Sequence, residues 1–213
     1  MEGVTDEAFR RICKEQGADL VYTEFISSDA IAHHAKKAFE KFRFDGSERP
    51  IVCQIFGRDP AAFTIAARAV ERAGFDGLDI NFGCPARKVV GHGSGVALLR
   101  TPRYARTLIE AAMQAVNIPV SIKVRTSIRA ERKEVQDGAE RITVLDFLEV
   151  IHDLPIAAIM VHGRSFEAGH QGSVDTDMIR QVKERFRGIV LANGGITSPE
   201  GVRSMIEQTQ ADG

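Results

Sequence analysis

The chain has 213 residues, 44% hydrophobic and 27% charged: enough apolar material for one sizeable core, but no single run long enough for a membrane span or a secretory leader. A formal net charge of −1 gives bulk electrostatics no reason to favour nucleic acid. Cys13, Cys53 and Cys84 are an odd set at wide spacing, which fits neither a disulfide framework nor a paired-cysteine zinc site, so one domain over 1–213 with reduced thiols in the cytoplasm is expected.

Taken in order, Thr5 is placed to cap a helix running through Phe9, Ile12 and Cys13 to Gly17, a residue type suited to left-handed closure. Leu20–Ile26 follows as a strand. The next stretch, helical or irregular, carries His33, His34, Lys36, Lys37, Lys41 and Arg43; adjacent histidines do not share a helix face, so no metal pair is expected there. Ile51–Phe56 is a strand, Asp59 a helix cap with Pro60 at the first helical position, and Gly74 closes that helix.

Leu78, Ile80 and Phe82 mark a buried strand that delivers Cys84 at its end, between Gly83 and Pro85. In barrels of alternating strands and helices the carboxyl ends of strands carry the chemistry, so position alone makes Cys84 a candidate catalytic residue. Val89–Gly95 is glycine-rich and is expected as a mobile loop; no Lys-Ser or Lys-Thr follows, so it is no phosphate loop. Thr101-Pro102 starts a helix that ends near Asn117.

Val120–Arg125 alternates as a strand, and Lys123 within it is costly unless its ammonium finds an acceptor, which points to function. Arg129–Arg141 is almost continuously charged and reads as an exposed loop or an extra helix. Thr143 caps a helix through Leu145, Phe147, Leu148 and Ile151, and the strand Ala157–Val161 leads into His162-Gly163-Arg164. Asp175–Arg187 is an amphipathic helix, Ile189–Ala192 a strand ending in Asn193-Gly194-Gly195, and Ser198-Pro199 opens the last helix.

A strand followed by a helix at intervals of roughly 30 to 45 residues signals a parallel sheet. Six strands, with none ahead of Thr5, predict an α/β fold, a TIM-type (β/α)8 barrel that is incomplete, its first and last strands missing. A doubly wound open sheet is the alternative, but no Gly-x-Gly-x-x-Gly follows an early strand. In an open barrel the Leu20 and Ile189 strands would expose unpaired edges, which predicts aggregation or low stability.

Several segments together resemble the tRNA-dihydrouridine synthases: Met1-Glu2-Gly3-Val4-Thr5-Asp6, Val52-Cys53-Gln54-Ile55-Phe56-Gly57, Asp79-Ile80-Asn81-Phe82-Gly83-Cys84-Pro85, Lys123-Val124-Arg125, Val161-His162-Gly163-Arg164 and Asn193-Gly194-Gly195. The likeness runs the whole length in order. It implies FMN, reduced by NADPH or NADH, and reduction of a uridine in tRNA, with hydride from the flavin to C6 and a proton from Cys84 to C5. It further implies flavin contacts from Met1, Glu2, Gln54, Lys123 and His162, a phosphate site at Asn193, Gly194 and Gly195, and uridine and phosphate contacts from Asn81, Arg125 and Arg164. The partner implied is tRNA, with no metal and no membrane, for a monomer whose usual C-terminal helical domain is missing. Two other readings stand beside it: a flavin barrel acting on a free pyrimidine, as in the dihydroorotate dehydrogenases, and a non-catalytic RNA-binding remnant.

Overall fold

The structure is a computed structural model that describes residues 2–131 and 141–213. These fall into two compact units, residues 1–81 with 107–121 and residues 82–106 with 122–213. In chain order the elements are α1 (Glu7–Glu15), β1 (Val21–Tyr22), β2 (Ile26–Ser27), α2 (Ser28–Ala32), α3 (Lys36–Glu40), β3 (Ile51–Phe56), α4 (Pro60–Arg72), β4 (Gly77–Phe82), α5 (Arg87–Gly91), α6 (Pro102–Met113), β5 (Val120–Arg125), β6 (Ser127–Arg129), β7 (Arg141–Thr143), α7 (Val144–Ile151), β8 (Ala158–His162), α8 (Thr176–Arg185), β9 (Ile189–Asn193) and α9 (Pro199–Thr209).

In the first unit the strand order is β1-β3-β4, then the start of β5, and β1, β2 and β4 all lie parallel to β3. Ile51, Cys53, Ile55, Leu78 and Ile80 are fully buried, as are Phe63, Ala66, Ala67 and Val70 of α4. Strands covered on both faces read as near-continuous apolar runs, which is why β3 and β4 were easy to find. The predicted strand Leu20–Ile26 is instead two short ones. Between paired Tyr22↔Val52 and Ile26↔Ile55, Thr23, Glu24 and Phe25 face only Cys53 and Gln54, a bulge. There the Thr23 hydroxyl replaces a backbone carbonyl and accepts from the Gln54 amide at 3.1 Å.

The cap of α1 is Asp6, not Thr5: its carboxylate, the stronger acceptor, takes the Phe9 amide at 2.9 Å. Arg10 of α1 is buried against Glu48, Nε to Oε2 at 2.5 Å, and also donates to the carbonyls of Thr5 and Arg43. The expected caps at Asp59, Thr143 and Ser198 are present, with Pro60 and Pro199 opening their helices.

In the second unit the order is β5-β8-β9, with β8 and β9 parallel. Phe82, Val144, Phe147, Ile159, Val161, Ile179, Val182 and Val190 form its core, the Phe82 ring meeting Phe147 edge-on at 5.5 Å. The stretch expected to be a mobile loop, Val89–Gly95, is ordered into α5 and the start of a 3₁₀ turn over Gly95–Arg100. Of its glycines, Gly95 serves close packing. Arg129 and Arg141, read as the limits of a charged loop or helix, end the antiparallel pair β6–β7, while residues 132–140 lie outside the described residues. Nor is β9 bare along its length: the Asp212 amide donates to the Val190 carbonyl at 2.9 Å and the Ala192 amide to the Gly213 carbonyl at 2.7 Å. Among the described residues no helix is long and apolar enough to cross a membrane.

Candidate active site

Polar side chains buried in strands have to be hydrogen-bonded, and in the first unit they form one chain. Gln54, which lies within β3 rather than at its end, is paired across the ladder with Asp79 of β4. Its Nε2 donates to Asp79 Oδ2 at 2.7 Å, Ser121 Oγ donates to Asp79 Oδ1 at 2.6 Å, and Asn81 Nδ2 donates to Gln54 Oε1 at 2.8 Å. Asp79 is only 1% exposed. A carboxylate accepts only, so it fixes which end of the Gln54 amide faces it and turns the carbonyl towards Asn81. Burial, and then the charge of Asp79, push the Tyr22 phenol well above its usual range, so it stays protonated.

Gln54 and Asn81, singled out by likeness alone, are thus bonded directly to each other, and Gln54 is oriented by Asp79, a residue the sequence reading gave no role. The signal was available: a carboxylate flanked in its strand by Leu78 and Ile80. Of the first loop, Met1 lies outside the described residues, and exposed Glu2 is ion-paired with Lys41, both carboxylate oxygens accepting from Nζ at 2.6 Å.

The second unit holds the other predicted residues. Lys123 meets the expectation that a mid-strand ammonium needs an acceptor, its Nζ donating to Asn193 Oδ1 at 2.8 Å. His162, at the end of β8, is 7% exposed, and its Nδ1 has no hydrogen-bond partner among the described residues. Burial above all, then the charges of Arg125, Lys123 and Arg164, push this imidazole down to about 3, so it is neutral at physiological pH. Gly194 and Gly195 have φ of +109° and +72°, where L side chains are strained. A Cβ on Gly194 would lie 2.7 Å from His162 Cδ2 and one on Gly195 2.8 Å from Val174 Cγ2, so backbone closes directly on the ring and its surroundings.

Cys84 is half-buried beyond the end of β4. Gly95, at φ +61°, packs beneath it: a Cβ there would sit 3.0 Å from the Cys84 carbonyl oxygen and 2.8 Å from Val89 Cγ1. Arg125, predicted as a fork for substrate phosphate, is 3% exposed. It donates from Nε to the Gly83 carbonyl at 2.9 Å and from Nη1 to those of Ser165 and Gly169 at 3.1 and 2.8 Å. The guanidinium therefore clamps the residue before Cys84 to the segment after β8. Burial lowers its pKa while the Cys84 sulfur raises it, which puts the thiol within electrostatic reach. Arg164 donates from Nε to the Gly172 carbonyl at 2.9 Å. Cys53, by contrast, is fully buried, and burial pushes its thiol up to about 12, the mark of a core cysteine. Among the described residues no cluster of His, Cys, Asp and Glu could hold a metal.

A family model described as dihydrouridine synthase matches residues 1–213. The chain belongs to the dihydrouridine synthase family. It is 36% identical over 212 residues to the tRNA-dihydrouridine synthase B of Pseudomonas aeruginosa, covering 100% of this chain and 61% of that protein. To a probable tRNA-dihydrouridine synthase of Rickettsia conorii it is 34% identical over 214 residues, covering 100% of this chain and 62% of that one. The chain thus spans about three fifths of the length of these curated relatives. Among solved structures it is similar to histamine dehydrogenase from Rhizobium sp. 4-9, with a TM-score of 0.69 at 14% identity over 97% of this chain and 40% of that one. It is also similar to morphinone reductase, with a TM-score of 0.56 at 12% identity over 99% and 77%. Likeness at such identities is one of fold, and the fold is the expected TIM-type (β/α)8 barrel in incomplete form.

Proposed function

We propose that this family member carries the catalytic part of an FMN-dependent enzyme that reduces uridine to 5,6-dihydrouridine in tRNA. Family membership supports this reaction class. The observation that carries the reading to particular residues is the half-buried Cys84 thiol at a strand terminus, tethered through the Gly83 carbonyl to a buried Arg125.

The second unit's residues fit a flavin. A buried His162 nitrogen without a partner among the described residues, an ammonium at Lys123 and two glycines that bring backbone against the imidazole would supply a ring hydrogen bond, a cation and a close anion cradle. Reduced FMN, re-reduced by NADPH or NADH, would supply the hydride for uracil C6 when bound. Cys84 Sγ gives its proton to C5, the thiolate left behind lies within reach of the Arg125 guanidinium, and solvent restores the proton. With a flavin bound, Lys123 would offer its ammonium to the anionic pyrimidine edge, and neutral His162 would offer a hydrogen bond without adding charge. The roles that likeness gives to Gln54 at the flavin and Asn81 at the uridine, and to Asn193, Gly194, Gly195 and Arg164 at phosphates, belong to the same proposal. Met1 and Glu2 are part of it as well.

The test is dihydrouridine content of tRNA by mass spectrometry after incubation with FMN-loaded protein and NADPH. Cys84→Ala is expected to cut the rate about 100-fold or more while keeping its flavin absorbance, the usual worth of a general acid. Full modification by that variant would remove Cys84 from the mechanism. Turnover of free uracil in place of tRNA would favour the free-pyrimidine reading.

A further inference from the structure

The proposed chemistry leaves unused the most basic stretch of the first unit, His33 to Arg43. It holds Lys36, Lys37, Lys41 and Arg43 against the single carboxylate of Glu40, in a chain whose formal net charge is −1. Lys41 is committed to Glu2 at 2.6 Å and lies 3.7 Å from Glu24. Lys36, Lys37 and Arg43 are exposed, and none of them is ion-paired among the described residues. Asp29, on the neighbouring α2 and outside the segment, is an exposed carboxylate as well.

Between α2 and α3 the chain turns at His34, a non-glycine residue at φ +55°. There its imidazole lies nearly parallel to the Phe39 ring, 11° between planes and 6.2 Å between centroids. Both side chains are exposed, Phe39 by 37%. Phe39 is not a loose ring: it contacts Phe42 at 5.2 Å, and Phe42 packs edge-on against Phe75 at 5.6 Å, which is buried. An aromatic pair open to solvent, backed by Phe42 and Phe75, thus shares its short segment with three exposed cations that have no ion pair among the described residues.

We infer that residues 33–43 are an RNA-contact surface, on which His34 and Phe39 receive an unstacked base while Lys36, Lys37 and Arg43 neutralise its neighbouring phosphates. Charge complementarity and the π-face together favour a single-stranded or looped nucleic-acid segment: an apolar protein partner would gain nothing from three desolvated cations, and a purely electrostatic contact would gain nothing from an exposed ring stack. The inference rests on the reading of tRNA as substrate and adds where on this chain the RNA is held.

The experiment is fluorescence anisotropy of labelled tRNA against the intact protein over a salt series, which reads binding without catalysis. Lys36→Glu with Lys37→Glu is expected to weaken binding about tenfold or more and to flatten the slope of log affinity against log salt by about 1 to 2, the share of one or two phosphates. His34→Asn, which tolerates the left-handed backbone but lacks the ring, is expected to weaken binding several-fold with the slope unchanged. Wild-type affinity and slope in the double variant overturn the inference, as does a wild-type protein without salt-dependent tRNA binding. Protein that binds tRNA through these residues yet makes no dihydrouridine supports the surface and counts against the catalytic reading alone.

Discussion

Asp79 holds two amides at once, Gln54 directly and Asn81 through it, with almost no exposure. Asp79→Asn would set one NH2 group against another at Gln54 or break the bond from Ser121, leaving a buried donor unpaired. Chemical denaturation is expected to show a loss of about 1 to 3 kcal/mol, with Ser121→Ala costing less. An unchanged unfolding midpoint would mean that the amides are positioned by packing. At this scale the sequence was informative wherever one residue type contradicted its surroundings, as Lys123 in a strand or Cys84 between glycine and proline. It was silent at Arg125 about the Ser165 and Gly169 carbonyls, some forty residues further on, that accept from its guanidinium, because spacing does not report which distant loop folds back.

At the scale of elements, the segment after Cys84 shows how composition can be right and its interpretation wrong. Glycine was correctly weighted as unusual, but Gly95 is needed for a positive φ and a close approach, not for movement. Gly95→Ala would drive a methyl group into Val89 and the Cys84 carbonyl. The expected result is destabilisation of about 1 kcal/mol or more together with a changed rate of Cys84 alkylation, followed by mass spectrometry. Equal alkylation rates would separate the 3₁₀ turn from the thiol. The split of the first strand was hidden for a similar reason: the bulge depends on the Thr23 hydroxyl entering a ladder, and threonine is as welcome in a regular strand as in an interrupted one. Helix starts were the most legible elements, since Asp59, Thr143 and Ser198 act on amides two or three residues away.

For the whole molecule, the alternation of strand and helix was readable because doubly covered strands are mostly apolar, whereas the bonds from β9 to Asp212 and Gly213 rest on backbone atoms that any residue possesses. Stability should also carry a signature of pH. His162 has its folded pKa lowered to about 3 from an ordinary value near 6.5, so its contribution is complete above about 6.5 and is lost as pH falls towards 3. Melting temperature is expected to decline across that window, with His162→Gln declining less steeply; parallel profiles would show that the imidazole charges without cost. The Arg10–Glu48 contact sets a different kind of rule. With either charge removed, its partner would be stranded in the interior, so natural variation at one position must be answered at the other, or both replaced by greasy side chains together. The leading helix is thereby held to a covenant with a turn thirty-eight positions downstream, and drift in this part of the family has to move in pairs.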